Sequence, residues 1–312
     1  IERFISIDFT KKLQLILEEN SFDIVIIESL FVTPYIPTIK ALSKAKIVLR
    51  AHNVEHKIWE RISLNTKNPI KKRYINLLAK RLMKYEIKVF DQIDGIAAMT
   101  SVDENSFKEL GFTKNTKAIP TGYMIKSLSP SQLKVEENSI FHIASMDWLP
   151  NVEGINWFLE KVWGEIQISH PNSKLYLAGR EMPDTFYNLG LKNVTTVGKV
   201  KSAKAFYLSK KIMIVPVLSG SGMRIKIIEG MALGKVIIST SIGAEGIKCA
   251  SGINILIADT PKDFAKAICK CLESPEFCEK IGENARNLIA TEYSNDKISK
   301  KMITFFEELK LS

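Results

Sequence analysis

No run of about 18 consecutive apolar residues occurs in this sequence, so no segment reads as a membrane-spanning helix. No secretory signal pattern is visible at its start, and residue 1 is Ile rather than Met. Cysteine is scarce: four residues, at 249, 269, 271 and 278, with no Cys-x-x-Cys pair. Cys269 and Cys271 lie two apart on an expected helix and point to opposite sides, which argues against a zinc cluster. Four reduced structural thiols and a cytoplasmic setting are the reading. No Gly-x-Gly-x-x-Gly follows an early strand, which speaks against a nicotinamide dehydrogenase. Internal repeats and low-complexity tracts are absent too.

What is there suffices for two ordinary cores: 312 residues, 46% of them apolar. The net charge of +10 is uneven. Residues 1–128 carry 21 basic and 14 acidic side chains, net +7, and segment 57–88 carries ten basic against two acidic. Such an excess suits an anionic partner, and a solvated helix face explains it equally well. In 69–90, Ile75, Leu78, Leu82, Tyr85 and Val89 recur at helical spacing and form a core face, with lysines and arginines elsewhere.

Short apolar runs alternate with helical patterns along the chain. Expected strands are 24–27, 47–50, 93–98 and 117–119, then 140–145, 174–178, 194–197, 212–217, 236–240 and 254–257. Helical segments between them include 5–19, 54–64, 69–90, 153–168, 201–209, 223–233 and 260–273. Strand–helix alternation predicts an α/β protein of two doubly wound parallel sheets. The polar stretch 126–138 reads as the linker. The expected domains are 1–128, 129–295 and a closing helix, 296–312, whose apolar stripe (Ile298, Met302, Phe305, Phe306, Leu309) predicts a return to the first domain.

In such sheets ligands sit at the carboxyl ends of the strands. The second unit places "SMDWLPN", "GRE", "GKV", "LSGSGMR" and "SIGAEG" there. Gly220 and Gly222 permit a turn with outward backbone N–H groups, and the helix starting near Met223 adds its positive end. With Arg224 and Lys226 alongside, the pattern fits an anion site, a plain strand-to-helix turn being the alternative. On that helix Ile225, Ile228 and Ala232 are the expected apolar face. Glu229 suits a sugar hydroxyl pair or a surface pair with Lys226. His52 follows a strand, with Asn53 an expected helix cap and Glu55 close behind.

The chain resembles family 4 glycosyltransferases of the GT-B fold across nearly its whole length. The carrying stretches are "HIASMDWLPNVEGINWFLEKVW", "VTTVGKV", "IVPVLSGSGMRIKIIEGMALGKVIISTSIGAEG", "LRAHNVEHKIWER" and "IPTGYM". The resemblance implies two Rossmann-like domains facing across a cleft. It implies sugar transfer from a nucleotide diphosphate-sugar to a glycan or lipid-linked acceptor, usually with retention and without a metal or other cofactor. Donor-binding residues would be Gly220, Ser221, Gly222, Met223, Arg224, Lys226 and Glu229, with Gly198 and Val200 near the base. His52 would meet the transferred sugar as the catalytic-position residue, with Asn53 and Glu55 on the acceptor side. The chain departs from the family in two places, the first being Ser221, which replaces the first glutamate of the Glu-x7-Glu motif. Met146 and Val152 stand roughly where Arg and Lys are common, so Arg224, Lys226 or both would carry the pyrophosphate.

Surface polysaccharide or glycoconjugate synthesis in a bacterium is the implied setting, with peripheral contact to the inner membrane face through 57–88 and no nucleic acid partner. Alternatives are a degenerate nucleotide-binding protein without transfer activity and a nucleotide-sugar epimerase. About four strands in the first unit against six in the second raise a further expectation: that the natural start of the first domain, with its own glycine-rich loop, is missing here.

Overall fold

The computed structural model describes residues 2–124, 134–220 and 222–311. Ser221 and most of the expected linker lie outside the described residues. Contacts divide the chain into two compact units: Ile1–Thr121, Gly220–Met223 and Ile298–Ser312 in one, Gly122–Ser219 and Arg224–Lys297 in the other.

The first unit runs α1 (Ile7–Glu19), β1 (Ile24–Glu28), α2 (Ile36–Leu42), β2 (Lys46–Ala51), α3 (Glu55–Asn65), α4 (Pro69–Phe90), β3 (Gly95–Ala98), α5 (Ser101–Glu109) and β4 (Asn115–Ala118). Its strands form a parallel sheet in the order β1-β2-β3-β4. β3, "GIAA", is buried at every position, the mark of a parallel strand covered on both faces. One face packs with α1, α2, α4 and α5 side chains in a core including Ile36, Ile39, Ile96, Phe90 and Phe107. Val48, Ala97 and Ile119 instead pack with Ile298, Phe305 and Leu309 of α12 (Asn295–Leu311). Gly95 meets that helix so closely that a β-carbon there would lie 3.0 Å from Leu309.

The second unit runs β5 (Glu136–Ile143), α6 (Leu149–Lys161), α7 (Trp163–Ser169), β6 (Lys174–Ala178), β7 (Val194–Gly198), α8 (Ala203–Ser209), β8 (Lys210–Val215), α9 (Ile225–Ala232), β9 (Val236–Ser239), β10 (Leu256–Ile257), α10 (Pro261–Glu273) and α11 (Pro275–Glu292). All pairings are parallel, in the order β10-β9-β8-β5-β6-β7. The chain builds outward from β5 through β6 and β7, then returns to β8 on the other side of β5. That reversal is the topological switch point, where open α/β sheets present a crevice to ligands. Two Rossmann-like parallel sheets are therefore present; the second is doubly wound, whereas the first, expected to be so too, runs one way from β1 to β4 with its connecting helices on one face and α12 on the other. No helix among the described residues is long and apolar enough to cross a membrane.

Three local readings need correction. α6 starts at Leu149 rather than 153, because Pro150 suits a first helical turn, where no N–H bond is lost. Asn53 does not cap α3: Val54 occupies the cap, and the Asn53 amide donates to Glu55 at 3.3 Å. Ile225 is an exposed residue of α9, whose buried face is Ile227, Ile228 and Met231. The apolar residues lie all around the start of α9, so periodicity alone did not select the face that meets the sheet.

Candidate functional site

Two loops flank the switch point, one after β5 and one after β8. The loop after β5 leads through Trp148 into α6, and the loop after β8 leads through Arg224 into α9. Three side-chain contacts join them. The Lys226 ammonium donates to Asn151 Oδ1 at 2.6 Å. The Arg224 guanidinium lies 5.5 Å from the Trp148 ring centroid. Ser219 Oγ donates to Glu153 at 2.8 Å. Asn151 is itself held, its amide donating to the Ser145 carbonyl at 2.8 Å. Close packing of α6 on the end of β8 requires Gly154, since a β-carbon there would lie 2.1 Å from the Pro216 carbonyl oxygen.

This places cationic side chains at the switch point on α9 and the turn before it. Arg224 is the residue before the first turn of α9, and it also donates to the Ile242 carbonyl at 3.2 Å. Burial pulls the Lys226 ammonium down to about 7, with the Arg224 charge adding to the effect. Met146, by contrast, is buried in the core around Ile155 and Phe158, and Val152 packs against it. Both are structural. The turn before α9 needs its glycines: φ is 122° at Gly220 and 79° at Gly222, where side chains are disfavoured.

Glu229, one turn beyond Lys226, is half-buried, and burial raises its carboxyl pKa, partly offset by the Tyr207 hydroxyl. Tyr123 and Tyr207 feel the Glu229 charge in turn. Burial first, then that charge, pushes both phenols up. Buried His142 on β5 holds the Ile214 carbonyl through Nδ1 at 2.9 Å, and its pKa is driven well down by burial and then by Lys226. Gly198 closes β7 with φ 67°, and its carbonyl accepts the Gly179 N–H at 2.8 Å. Half-buried Val200 follows it, on the far side of β6 from the switch point.

The first unit gathers a second set at the carboxyl ends of β1 and β2. His52 Nε2 lies 2.8 Å from a Glu28 carboxylate oxygen, both side chains being well exposed. Ser29, next to Glu28, has φ 94° and ψ 150°, a region open essentially to glycine. Its N–H donates to the Arg50 carbonyl at 3.1 Å, which anchors that conformation. Glu55 is buried, and burial raises its pKa against the opposing Asn53 hydrogen bond. Below it, buried Glu86 of α4 accepts the N–H of Glu55 at 2.9 Å and of His56 at 3.2 Å, and bonds His56 Nδ1 at 2.5 Å. A side chain from another helix thus satisfies the open N–H groups at the start of α3.

The turn residues Gly220, Gly222 and Met223 are grouped with His52, Asn53 and Glu55 in the first unit. Arg224, Lys226, Glu229, Gly198 and Val200 belong to the second. Asn151, Trp148, Tyr123, Tyr207, Glu28, Ser29 and Glu86 are partners that sequence reasoning did not single out. Among the described residues, no cluster of three or more His, Cys, Asp or Glu side chains is arranged to hold a metal ion.

The architecture defines a GT-B protein, as comparison with solved structures bears out. Sucrose-phosphate synthase from Thermosynechococcus elongatus superimposes with a TM-score of 0.76 at 16% identity, over 96% of this chain and 77% of that one. HepE of Anabaena, solved in complex with UDP, gives 0.72 at 14% identity, over 96% and 82%. TarM of S. aureus, solved with UDP and α-GlcNAc-glycerol, gives 0.71 at 17% identity, over 94% of this chain and 58% of that one. Residues 137–274 match the model of the family described as glycosyl transferases group 1. A curated relative, an uncharacterized 44.6 kDa protein in the cps region of Klebsiella pneumoniae, is 24% identical over 288 residues, covering 89% of this chain and 73% of that protein.

Proposed function

We propose that this protein transfers a glycosyl group from a nucleotide diphosphate-sugar to a glycan or lipid-linked acceptor in surface polysaccharide or glycoconjugate synthesis, with retention and without a metal. The observation that carries the reading is the pair of cationic side chains, Arg224 and Lys226, at the switch point of the second sheet. Phosphate charge suits such a place, where the turn N–H groups and the start of α9 are also electropositive.

In the reaction the bond from the sugar's anomeric carbon to the diphosphate oxygen breaks, and its electrons leave with the diphosphate. A bond from the acceptor hydroxyl oxygen to that carbon forms, and the hydroxyl proton passes to the departing phosphate oxygen. Arg224 and Lys226 stabilise the charge that grows on the leaving group, the work of a metal in other transferases. Glu229 accepts hydrogen bonds from the ribose hydroxyl pair, and Gly198 and Val200 border the base. His52, oriented through Nε2 by Glu28, turns Nδ1 to a hydroxyl of the transferred sugar. Retention follows when the acceptor enters on the face the diphosphate leaves. The cps-region relative and the family model matched by residues 137–274 support polysaccharide synthesis as the setting.

Titration with uridine and guanosine diphosphates tests the donor half. Glu229→Ala lowers nucleoside diphosphate affinity roughly tenfold or more, as loss of a charged hydrogen bond would, and leaves inorganic pyrophosphate binding unchanged. Unchanged nucleotide affinity removes the ribose role. The anomeric configuration of a product formed from an α-linked donor decides retention.

A further inference from the structure

We infer, resting on the donor reading proposed above, that Glu153 of α6 accepts a hydrogen bond from a hydroxyl of the donor's sugar and so helps to select that sugar. Glu153 lies near the start of α6, in the loop-flanked region after β5. Its Oε2 accepts the Ser219 hydroxyl at 2.8 Å. Ser219 is fully buried and stands immediately before the glycine turn that leads to α9. The turn, "GSGM", carries no acid of its own, so the carboxylate at its start comes from another helix.

The placement of Glu153 is fixed on both sides. Gly154 abuts the Pro216 carbonyl so closely that a β-carbon there would lie 2.1 Å from its oxygen. Two residues before Glu153, Asn151 is held by the Ser145 carbonyl and the Lys226 ammonium. The carboxylate is therefore set in position before a ligand arrives, which is what a selective contact requires.

Bracing Ser219 does not need a charge, since an amide or backbone carbonyl would accept its hydroxyl too. Arg224 and Lys226 turn to Trp148, the Ile242 carbonyl and Asn151. Glu153 forms no ion pair among the described residues. An acid without a cation repels a diphosphate bound beside it. That cost is offset where the carboxylate accepts from the ligand. Ionised phosphate oxygens have no hydrogen to donate, whereas a sugar offers several hydroxyls. Glu229 serves the ribose from α9 in the proposed reading, and Glu153 stands across the switch point on α6. The side chain is half-buried, and among the described residues Oε1 has no partner. One hydroxyl suits that oxygen. The ligand class is a nucleotide-linked hexose with a hydroxyl at the matching ring position, and an analogue lacking it binds more weakly.

Calorimetry of the whole 312-residue chain, without acceptor, tests this. The probes are uridine, guanosine and adenosine diphosphates, each bare and linked to glucose. For the nucleotide that binds, the galactose, mannose and 3-deoxyglucose forms follow. The readout is the ratio of sugar-linked to bare diphosphate affinity. Glu153→Gln, which keeps an oxygen for Ser219, should lower that ratio roughly tenfold or more, as loss of a hydrogen bond to a charged group does. It should leave the bare diphosphate as tight or tighter, and flatten the preference among the sugar forms. Ser219→Ala, which leaves the carboxylate unbraced, should lower the ratio by a smaller factor. Circular dichroism melts check that both variants fold. An unchanged ratio in Glu153→Gln would overturn the inference. So would equal losses for bare and sugar-linked diphosphates, which would make Glu153 a brace of the turn. A natural chain that binds all the sugar forms alike would overturn it without recourse to any variant. If no diphosphate binds the natural chain, the donor reading itself fails, and the role of Glu153 with it.

Discussion

The Lys226 ammonium and the Asn151 side-chain carbonyl, 2.6 Å apart, tie the helix after β8 to the helix after β5 across the switch point of the second sheet. A lysine withdrawn from water needs an acceptor, and a neutral amide leaves its positive charge uncompensated. The charge is then available to an anion.

Replacing Asn151 with Ala removes that acceptor together with the bond to the Ser145 carbonyl. Denaturant unfolding should show a loss of about 1.5–3 kcal/mol, the scale of a hydrogen bond to a charged group. A loss within a few tenths would mean that water substitutes fully for the amide.

The proton on Lys226 sets a pH dependence. Its pKa in the free protein is held down to about 7, burial first and Arg224 second. Below that pH the lysine is charged and ready. Above it, binding a diphosphate must draw a proton from solvent, so affinity falls as pH rises above about 7, by up to about tenfold per unit. His142, held neutral by burial, and Glu229 are the neighbouring titratable groups. Calorimetry with a nucleotide-sugar, whose phosphates do not titrate in that range, should show the decline together with proton uptake. Lys226→Arg, charged throughout, should flatten it. A decline that persists in Lys226→Arg assigns the titration elsewhere.

Glu86 is buried with three donors around it: two N–H groups of α3 and the His56 ring. Glu86→Ala leaves those donors without an acceptor and should lower unfolding stability by about 3–5 kcal/mol, as breaking one side of a buried pair does. The 52–55 loop loses its anchor, so transfer activity should fall further than the folded fraction does.

At Ser29 the backbone is strained at φ 94°. Ser29→Gly relieves a cost of about 1–3 kcal/mol, less the entropy that glycine gains on unfolding. Thermal unfolding should rise by a few degrees. A fall would show that the Ser29 hydroxyl, which accepts the Phe31 N–H at 3.3 Å, outweighs the strain.

Much of this fold was legible because parallel strands are buried on both faces and read as apolar runs. β6 was located to the residue, and α4 to both ends, where Asn68 caps the helix and Pro69 opens it. α5 and α11 were missed, their polar residues diluting the period. In the site, Arg224, Lys226 and Glu229 were visible because charges stand out in an apolar helix. Asn151, Glu28 and Glu86 were not, since each acts through a partner 24 to 75 positions away in sequence. No local pattern carries such a pairing. The strain at Ser29 was likewise silent, as nothing in "IESLF" marks a left-handed backbone at serine.

On the proposed reading, a nucleoside diphosphate binds the second unit through Arg224 and Lys226. Calorimetric titration of Arg224→Ala/Lys226→Ala with a nucleoside diphosphate and with its bare nucleoside tests it most directly. Loss of two charged contacts should weaken the diphosphate by about a hundredfold or more, with nucleoside affinity nearly unchanged. Equal losses for the two ligands, or diphosphate binding as tight as in the natural chain, would remove Arg224 and Lys226 from the diphosphate site.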